Sequence, residues 1–476
     1  MEGITSYGAY VPLFRIRRDD IARAWGGGSQ GGEKSVANFD EDSITMGVAA
    51  AQDCLRGMDR KSVDGFYFAT TSAPYKEKQS APLLTFALNM RSNIFATDLG
   101  DSVRAGTNAL KVALDSVKSG NVKHACVVAS DTRPGSPRSE FEQTFGDGAA
   151  AVLVGKDNVI ASLEAFSSYT HEILDFWRTK DDNFIKTWED RWVLSEGYLK
   201  NVGSSVKDFL KKNSLTPKDF NKVILYAPDA RRHREMAGML GFDYKNQVQT
   251  PFFDVMGNTG SAFALMQLVA ALEEAKPGSN ILVINYGDGT DIFLFKVTEA
   301  ITRITPKRAI KAHMATKKYI TSYEKYISHR QVINVEPATR RPSFVSYPTI
   351  LARERQWIMG LNASKCQNCG RLFLPPQRVC GYCKTKDKFD YVDVSDARGT
   401  LYTFNLDNLA TSPESPEVFA RVHLEKNGDK VGFYCRVTDR DPASIKLDIP
   451  VELTFRRLYE AGGYPNYFWK AMPVRV

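Results

Sequence analysis

The 476-residue sequence has no uninterrupted apolar run long enough to span a membrane, and its start, MEGITSYGAYVPLF, lacks the basic stretch, apolar core and cleavage site of a secretory signal. Cysteine is also scarce, with seven residues in the whole chain, which excludes a disulfide-stabilised scaffold. We therefore expect a cytoplasmic protein.

What is present is ordinary for a globular chain: 43% hydrophobic and 25% charged residues, at a length that favours two domains. The net charge of +8 is unevenly distributed, because residues 303 to 341 contain ten Lys or Arg and only two Glu. Such a segment can bind nucleic acid, an acidic membrane surface or a phosphorylated small molecule. It can equally be a solvated connector, which is the more common case.

Residues 1 to 297 alternate buried-strand and amphipathic-helix patterns, for example VDGFYFATT, NALKVALDSVKSG and HACVVAS. This alternation predicts an α/β layered fold with largely parallel strands. The stretch VALDSVKSG at residues 112 to 120 returns as AALEEAKPG at residues 270 to 278, so we expect two pseudo-repeats, about 1–165 and 166–297. In each repeat, a turn of small residues, at 103–107 and at 258–262, comes directly before the helix that contains the repeated stretch. Because such helix N-termini suit an anionic group, the two turns should face one site.

The pattern changes beyond residue 297. Residues 298–348 are predicted to be a basic connector, and 349–385 a short helix followed by a cysteine cluster. Residues 386–476 contain short strands such as GTLYTFNL, FARVHLE, VGFYCRV and PVELTFRRL, which predict a small β-barrel.

Four cysteines form two C-x-x-C pairs separated by ten residues: Cys366, Cys369, Cys380 and Cys383. Each pair can direct two thiolates at one ion, so together they predict a tetrahedral zinc site. With four protein ligands no position remains for water, and the metal should therefore be structural. The alternative is four unligated buried cysteines.

Several motifs in register, EDSITMGVAAAQDCL, AGTNAL, FGDGAAAVLVG, MGNTGSA and NYGDGTDIF, resemble 3-hydroxy-3-methylglutaryl-CoA synthase and the wider thiolase superfamily over residues 1 to 297. The segments CQNCGRLFLPPQRVCGYC and RGTLYTFN are similar to the acyl-CoA-associated zinc-ribbon and OB-fold domain. The resemblance implies a duplicated αβαβα fold that forms a homodimer. It also implies a coenzyme A tunnel to the paired helix N-termini and carbon–carbon bond chemistry on an acyl-CoA substrate.

The chain departs from this family at the catalytic positions. The resemblance implies that Val103 stands where the family has its nucleophilic cysteine, Tyr226 where it has histidine and Thr71 where it has glutamate. Only Asn258 of the polar set is retained. Valine cannot attack a thioester and Ser102 has no histidine near it in sequence, so no acyl-enzyme is expected.

These departures favour an aldol-type carbon–carbon lyase that cleaves or forms a β-hydroxyacyl-CoA, as in thiolase-like retro-aldolases that also lack the nucleophile. The catalytic candidates are Tyr226 and Tyr286, each closing a strand, with Asn258 as an oxyanion donor and Asp288 as a proton relay. Each has an ordinary alternative: a tyrosine can plug a strand end, and an asparagine can cap a helix. His233 is expected to be a solvated helix residue.

Arg17, Arg18, Arg231 and Arg232 are candidates to meet the coenzyme A phosphates, with solvated surface as the alternative. Two other functions stay open: a thiolase or synthase-like Claisen acyltransferase acting on β-ketoacyl-CoA, and a non-catalytic acyl-CoA-binding scaffold. Nucleic acid is not expected as a partner, because the barrel strands lack a regular series of exposed aromatics interleaved with Lys or Arg.

Overall fold

A computed structural model describes residues 1–179, 181–333, 347–410 and 412–475. It divides into two compact units: Met1–Ala37, Asp42–Leu84 and Arg91–Tyr326 form the first, and Asn38–Glu41, Thr85–Met90 and Ile327–Val476 form the second. Residues 334–346 of the predicted connector lie outside the described residues. Across the described ranges, no helix combines the length and the apolar character needed to cross a membrane.

Twelve strands lie in the described part of the chain up to residue 326: β1 (Gly3–Tyr10), β2 (Phe14–Arg17), β3 (Glu33–Val36), β4 (Gly65–Ala69), β5 (Phe95–Leu99), β6 (Ala125–Asp131), β7 (Gly148–Gly155), β8 (Ala161–Thr170), β9 (Lys222–Leu225), β10 (Asn280–Tyr286), β11 (Gly289–Val297) and β12 (Lys318–Tyr319). The helices are α1 (Arg18–Trp25), α2 (Ser43–Cys54), α3 (Ala81–Ala87), α4 (Ala105–Lys118), α5 (Glu140–Thr144), α6 (Asp190–Trp192), α7 (Lys200–Lys212), α8 (Ala230–Met239), α9 (Phe263–Glu274), α10 (Ala309–Ala315), α11 (Tyr323–His329) and α12 (Pro348–Ile358). A π-helix, Val193–Leu199, joins α6 to α7, and a 3-10 turn, Gly260–Ala262, precedes α9.

Nine strands of the first unit form one sheet in the order β5-β4-β6-β7-β1-β8-β11-β10-β9. β4 runs parallel to β5 and β6, and β9 to β10, whereas the other neighbours are antiparallel. The prediction of largely parallel strands is therefore wrong. A strand buried on both faces looks apolar whichever way it runs, and the short turn at Gly287 and Asp288 forces β10 and β11 to be antiparallel.

Helices α4 and α9 form the middle layer of this unit. They contact each other, α4 packs on β4, β6 and β7, and α9 packs on β7, β9 and β10. α2 covers β1, β6 and β7, and α7 lies on β11. Helices therefore pack on both halves of the sheet, and the two sheets that the resemblance implies are joined into one through the pairing of β1 with β8.

The helix N-termini of the two predicted pseudo-repeats meet at Gly106 of α4 and Ser261 before α9. A Cβ atom added at Gly106 would collide with the carbonyl oxygen of Ser261, so only glycine permits this approach. The two turns therefore face each other as predicted. The limits of the pseudo-repeats and of the domains remain predictions; residues 298–326, assigned from sequence to a connector, contain α10 and belong to the first unit.

The second unit holds a three-stranded sheet and a closed five-stranded barrel. The strands are β13 (Asn362–Cys366), β14 (Leu372–Phe373), β15 (Phe389–Asp393), β16 (Arg398–Asp407), β17 (Glu417–Lys426), β18 (Asp429–Val437), β19 (Pro450–Ala461) and β20 (Tyr464–Pro473). The barrel order is β16-β17-β18-β20-β19, and β16 also pairs with β19 to close it. Val418, Ala420, Val422 and Leu424 of β17 alternate inward, which is the period of two that places them in the barrel core.

The outer face of β17 and β18 interleaves aromatic and basic side chains. The guanidinium of Arg421 lies 5.4 Å from the ring centroid of Tyr434, and that of Arg436 lies 5.3 Å from Phe419. These two pairs arise between paired strands rather than along one strand, so they are not visible in the sequence of either strand alone. The expected absence of nucleic acid as a partner remains a prediction.

A charged cluster is fully buried within the second unit. Arg456 contacts a carboxylate oxygen of Asp40 at 3.2 Å, of Glu41 at 2.6 Å and of Asp439 at 2.6 Å, and Lys470 contacts Asp40 at 2.7 Å. The two cations hold the pKa of Asp40 at about 2 in spite of its burial, which opposes the charged form.

Candidate active site and candidate metal centre

Asp131, at the end of β6, organises the loops around the meeting point of α4 and α9. Its carboxylate accepts five hydrogen bonds: from the hydroxyls of Thr70 (2.9 Å), Thr71 (3.0 Å) and Ser72 (2.9 Å), and from the backbone N–H groups of Thr71 (2.7 Å) and Ser261 (2.8 Å). One buried carboxylate thus fixes both the loop after β4 and the turn before α9. The Thr71 hydroxyl, at the family's glutamate position, donates its proton to this network and serves as a structural group.

Asn258 connects the turn before α9 to the end of β9. Its side-chain oxygen accepts the N–H of Gly260 at 3.0 Å and faces the guanidinium of Arg133 at 3.3 Å. Its amide nitrogen donates to the carbonyl of Ala227 at 3.3 Å and lies 3.4 Å from the hydroxyl of Tyr226. Asn258 therefore caps the turn, its ordinary alternative role, and also positions a predicted catalytic tyrosine.

Tyr226 directly follows β9 and is 2% exposed. Burial raises the pKa of its hydroxyl, while the positive charge of Arg133 and the hydrogen bond from Asn258 oppose the rise. Arg133 is itself buried, with its guanidinium 4.0 Å from the ring centroid of Phe145. No sequence pattern indicated this arginine, since SDTRPGSP looks like an ordinary polar loop. Because Tyr226 stays protonated, it can donate a hydrogen bond.

Tyr286 ends β10 and points its hydroxyl into the same region. The hydroxyl is buried and faces the carboxyl of Asp175, without a formed hydrogen bond in the described residues. Gly197 of the π-helix leaves room for it, because a Cβ atom added there would lie 3.1 Å from the hydroxyl oxygen. Burial raises the pKa of Tyr286, and the negative charge of Asp175 raises it further.

Asp175 is 5% exposed, and burial raises its pKa to about 6, although the N–H of Phe176, at 2.6 Å, favours the ionised form. Asp288, the predicted proton relay, lies exposed in the turn after β10 with a φ of 51°, and its charge adds to the raised pKa of Asp175. No sequence pattern indicated Asp175.

Asp175 lies in the segment between β8 and α6, and this segment contacts the loops around Asp131. Arg178 donates to the carbonyl of Thr71 at 2.7 Å, and Ile185 donates through its backbone to Pro134 at 3.3 Å. The ring of Phe176 meets that of Phe141 edge-on at 5.6 Å. These contacts hold Asp175 beside Tyr286.

Val103, at the position of the family's nucleophile, precedes α4 and lies against the turn after Tyr286. A Cβ atom added at Gly287 would lie 2.7 Å from a methyl carbon of Val103 and 2.9 Å from the Ser102 hydroxyl oxygen. That hydroxyl accepts the N–H of Arg104 at 3.2 Å. The nucleophile position and Tyr286 are thus neighbours in the fold.

The four arginines proposed to meet phosphate are placed differently from one another. Arg17 stacks on the ring of Tyr319 at 4.5 Å. Arg18 is buried and donates to the carbonyls of Phe253 and, at 3.2 Å, Gly31. Its guanidinium therefore makes hydrogen bonds within the protein. Arg231 and Arg232 lie in the first turn of α8, where Arg231 is exposed and Arg232 contacts Glu235 at 2.5 Å. Phosphate binding by these residues remains a prediction.

His233 is buried, so the expectation of a solvated residue is wrong. With Met236 and Ala237 it forms the inward face of α8, the spacing of an amphipathic helix. Its Nδ1 lies 3.3 Å from the hydroxyl of Tyr244, and burial lowers its pKa to about 4.

The sulfur atoms of Cys366, Cys369, Cys380 and Cys383 all lie within 4.8 Å of one another. The pair Cys366 and Cys383 is 3.6 Å apart, and the pair Cys369 and Cys380 is 3.5 Å apart. Four thiolates around zinc, each at about 2.3 Å, would be roughly 3.8 Å apart, so this cluster fits the ion.

The class of fold is shown by solved structures. A 3-hydroxy-3-methylglutaryl-CoA synthase complexed with CoA matches with a TM-score of 0.64 and 19% identity, covering 73% of this chain and 94% of that one. The 3-oxoacyl-(acyl carrier protein) synthase III of Pseudomonas aeruginosa matches with a TM-score of 0.55 and 18% identity, covering 64% and 99%. The family model of 3-oxoacyl-[acyl-carrier-protein] synthase III matches residues 97–170. The thiolase-like α/β fold predicted from sequence is confirmed.

Sequence relatives narrow the class to a family. The hydroxymethylglutaryl-CoA synthase of Pyrobaculum arsenaticum is 32% identical over 346 residues, which is 70% of this chain and 99% of the relative. That of Archaeoglobus fulgidus is 33% identical over 344 residues, again 70% and 99%. The chain belongs to the hydroxymethylglutaryl-CoA synthase family.

These relatives are synthases, which are condensing acyltransferases, so the aldol-type lyase predicted from the missing cysteine is wrong. The alternative of a synthase-like acyltransferase fits the relatives better. The error lay in treating the loss of a nucleophile as the loss of condensation. A missing nucleophile removes the place that holds an acyl group, but condensation also depends on groups that stabilise an enolate and an oxyanion.

Proposed function

We propose that the chain, a member of the hydroxymethylglutaryl-CoA synthase family, is an acyl-CoA condensing acyltransferase that works by Claisen condensation. The observation that carries this proposal is the group of buried hydrogen-bond donors Tyr226, Tyr286, Asn258 and Arg133. Val103, which the resemblance assigns to the nucleophile position, packs against the core cluster that contains the two tyrosines. Fixed donors in a water-poor site stabilise the negative charge that develops on thioester oxygens during condensation. The names of its relatives support coenzyme A thioesters as the substrates.

In this proposal the transferred acyl group stays on coenzyme A until it reacts, because valine cannot carry it. A base removes a proton from the carbon next to one thioester, and the electron pair moves onto the carbonyl oxygen as an enolate. The enolate carbon attacks the carbonyl carbon of the second thioester. The carbon–sulfur bond then breaks, and the departing thiolate takes up the proton held by the base. One carbon–carbon bond forms for each free thiol released.

The test incubates the purified chain with pairs of acyl-CoA and β-ketoacyl-CoA and measures free thiol and product mass together. We expect one thiol for each new carbon–carbon bond and no acyl label on the protein. Absence of both thiol release and condensed product from every pair would overturn the proposal. Label retained on the polypeptide during turnover would contradict the direct transfer.

We also propose that the four-cysteine cluster holds a structural zinc ion and that the five-stranded barrel is an OB-fold. Support for the metal comes from the sulfur separations and from the absence of a fifth candidate ligand in the cluster found among the described residues. With four thiolates, zinc has no open position and would contribute to folding of the second unit.

A homodimer completes the proposal. β5 is the last strand of the nine-stranded sheet, and Phe95 at its start is 58% exposed. An edge strand with exposed backbone groups readily pairs with a second copy. Light scattering after size-exclusion chromatography would show twice the chain mass, and Ala96→Pro would lower it to one chain.

A further inference from the structure

We propose that Asp175 is the general base of the condensing reaction, taking the proton from the carbon next to the thioester. This inference rests on the proposed function and names the residue that starts it. Three observations support it. The carboxyl of Asp175 is buried, it faces the hydroxyl of Tyr286, and its segment contacts the loops around Asp131.

Contacts on both sides of Asp175 hold its backbone in place. Ile173, two residues earlier, meets the π-helix, since a Cβ atom added at Gly197 would lie 3.0 Å from its terminal carbon and 3.1 Å from the Tyr286 hydroxyl. The carbonyl of Asp175 accepts the hydroxyl of Thr187 at 2.8 Å. The backbone is therefore fixed on both sides of the carboxyl, which is what a base needs to reach one proton reproducibly.

The other titratable groups of the site are committed to different roles. Asp131 already accepts five hydrogen bonds. The hydroxyls of Tyr226 and Tyr286 are kept protonated by burial and are suited to donate. His233 contacts the hydroxyl of Tyr244.

His171 is the competing candidate. Its Nε2 is buried and has no hydrogen-bond partner among the described residues. Burial and the charge of Arg104 lower its pKa, so its imidazole is a weaker base than that of a free histidine.

The titratable groups that face Asp175 come from three elements of the first unit. Tyr286 approaches from β10, Asp288 from the turn that follows and Tyr226 from the end of β9. Burial and the charge of Asp288 raise the pKa of Asp175 to about 6, so the carboxylate forms as pH rises through that value. Near neutral pH it can accept a proton, and the acid it becomes is strong enough to return that proton to the departing thiolate.

The experiment measures exchange of acyl-CoA α-protons with heavy water, which reports the first proton transfer without requiring condensation. Asp175→Asn keeps the shape of the side chain, Asp175→Glu keeps the base, and Asp181→Asn, an exposed position of the same segment, is the matched control. We expect Asp175→Asn to slow exchange by about 10²- to 10⁴-fold with unchanged coenzyme A binding, and Asp181→Asn to leave it unaltered. In the wild type the exchange rate should rise with pH through about 6, and in Asp175→Glu this rise should persist at a shifted pH.

Unchanged exchange in Asp175→Asn overturns the inference, and so does loss of exchange in His171→Gln with retention in Asp175→Asn. If the wild type exchanges protons but never condenses acyl groups, the proposed function fails while the role of Asp175 stands. If the wild type and Asp175→Asn condense at the same rate, the proposed function stands and the role of Asp175 fails. A wild type that neither exchanges nor condenses overturns both.

Discussion

The side-chain amide of Asn258 joins the start of α9 to the end of β9, with its oxygen 3.0 Å from the N–H of Gly260 and its nitrogen 3.4 Å from the hydroxyl of Tyr226. Because one amide makes both contacts, the orientation of Tyr226 depends on the turn that opens the helix. An asparagine that holds the turn before α9 is thus also part of the candidate active site.

Tyr226→Phe is expected to lower turnover about 10- to 100-fold on any acyl-CoA pair the chain condenses, because it removes one buried donor to the developing oxyanion. Coenzyme A affinity, measured by calorimetry, should be unchanged, since the aromatic ring remains. Tyr244→Phe, which removes a hydroxyl in contact with His233, is the matched control and should keep wild-type turnover. A chain that serves only as an acyl-CoA-binding scaffold would show no difference between the two variants.

His233 should make the first unit sensitive to mild acid. Its folded pKa of about 4 lies below the usual 6.5, so the unfolded chain binds the additional proton between these values. Stability is therefore full above about pH 6.5 and falls as pH decreases toward 4, by about 3 kcal/mol from this residue. Urea unfolding of the wild type and His233→Gln across this range checks it. The variant should lose less stability than the wild type as pH falls, and parallel curves would contradict the assignment.

Arg456→Met should destabilise the second unit by about 3–5 kcal/mol, because it leaves Asp40, Glu41 and Asp439 buried with less compensating charge. Arg398→Met, an exposed arginine of the same barrel, should change stability by less than about 0.5 kcal/mol. Calorimetric unfolding of both variants separates the loss of the buried ion cluster from the loss of one surface charge. Equal effects would mean that the cluster contributes nothing specific.

The sequence was sufficient for features that depend on local spacing. Thiolate spacing and hydrophobic periodicity depend on residues that are close together in the sequence. This is why the C-x-x-C pairs, the helices α4 and α9 and the alternating strand β17 could be predicted. The layered fold followed from the order of such elements and from motifs matched in register.

Features that depend on distant segments could not be predicted in this way. Asp175 and Tyr286 meet because the π-helix and the segment before it fold back onto the end of β10, and Arg133 is buried against the ring of Phe145 and the turn at Asn258. The direction of the strands was mispredicted for a similar reason. A strand that is buried on both faces has the same apolar pattern whether its neighbours are parallel or antiparallel. The chemistry was mispredicted because one substitution, Val103, was weighed without the donors that the fold assembles around it.

Removal of metal should unfold the three-stranded sheet of the second unit, because β13 ends at Cys366 and Cys380 is fully buried beside it. We expect one zinc per chain by metal analysis, none in Cys380→Ser, and a full complement in Lys388→Ser, an exposed control in the same segment. Acid should release the ion, since protons compete with zinc for the thiolates, and Cys369 is the most exposed of the four. The near-ultraviolet circular dichroism of the second unit should be lost together with the metal. A Cys380→Ser chain that binds no zinc yet unfolds at the wild-type temperature would show that the four cysteines stabilise the fold without an ion.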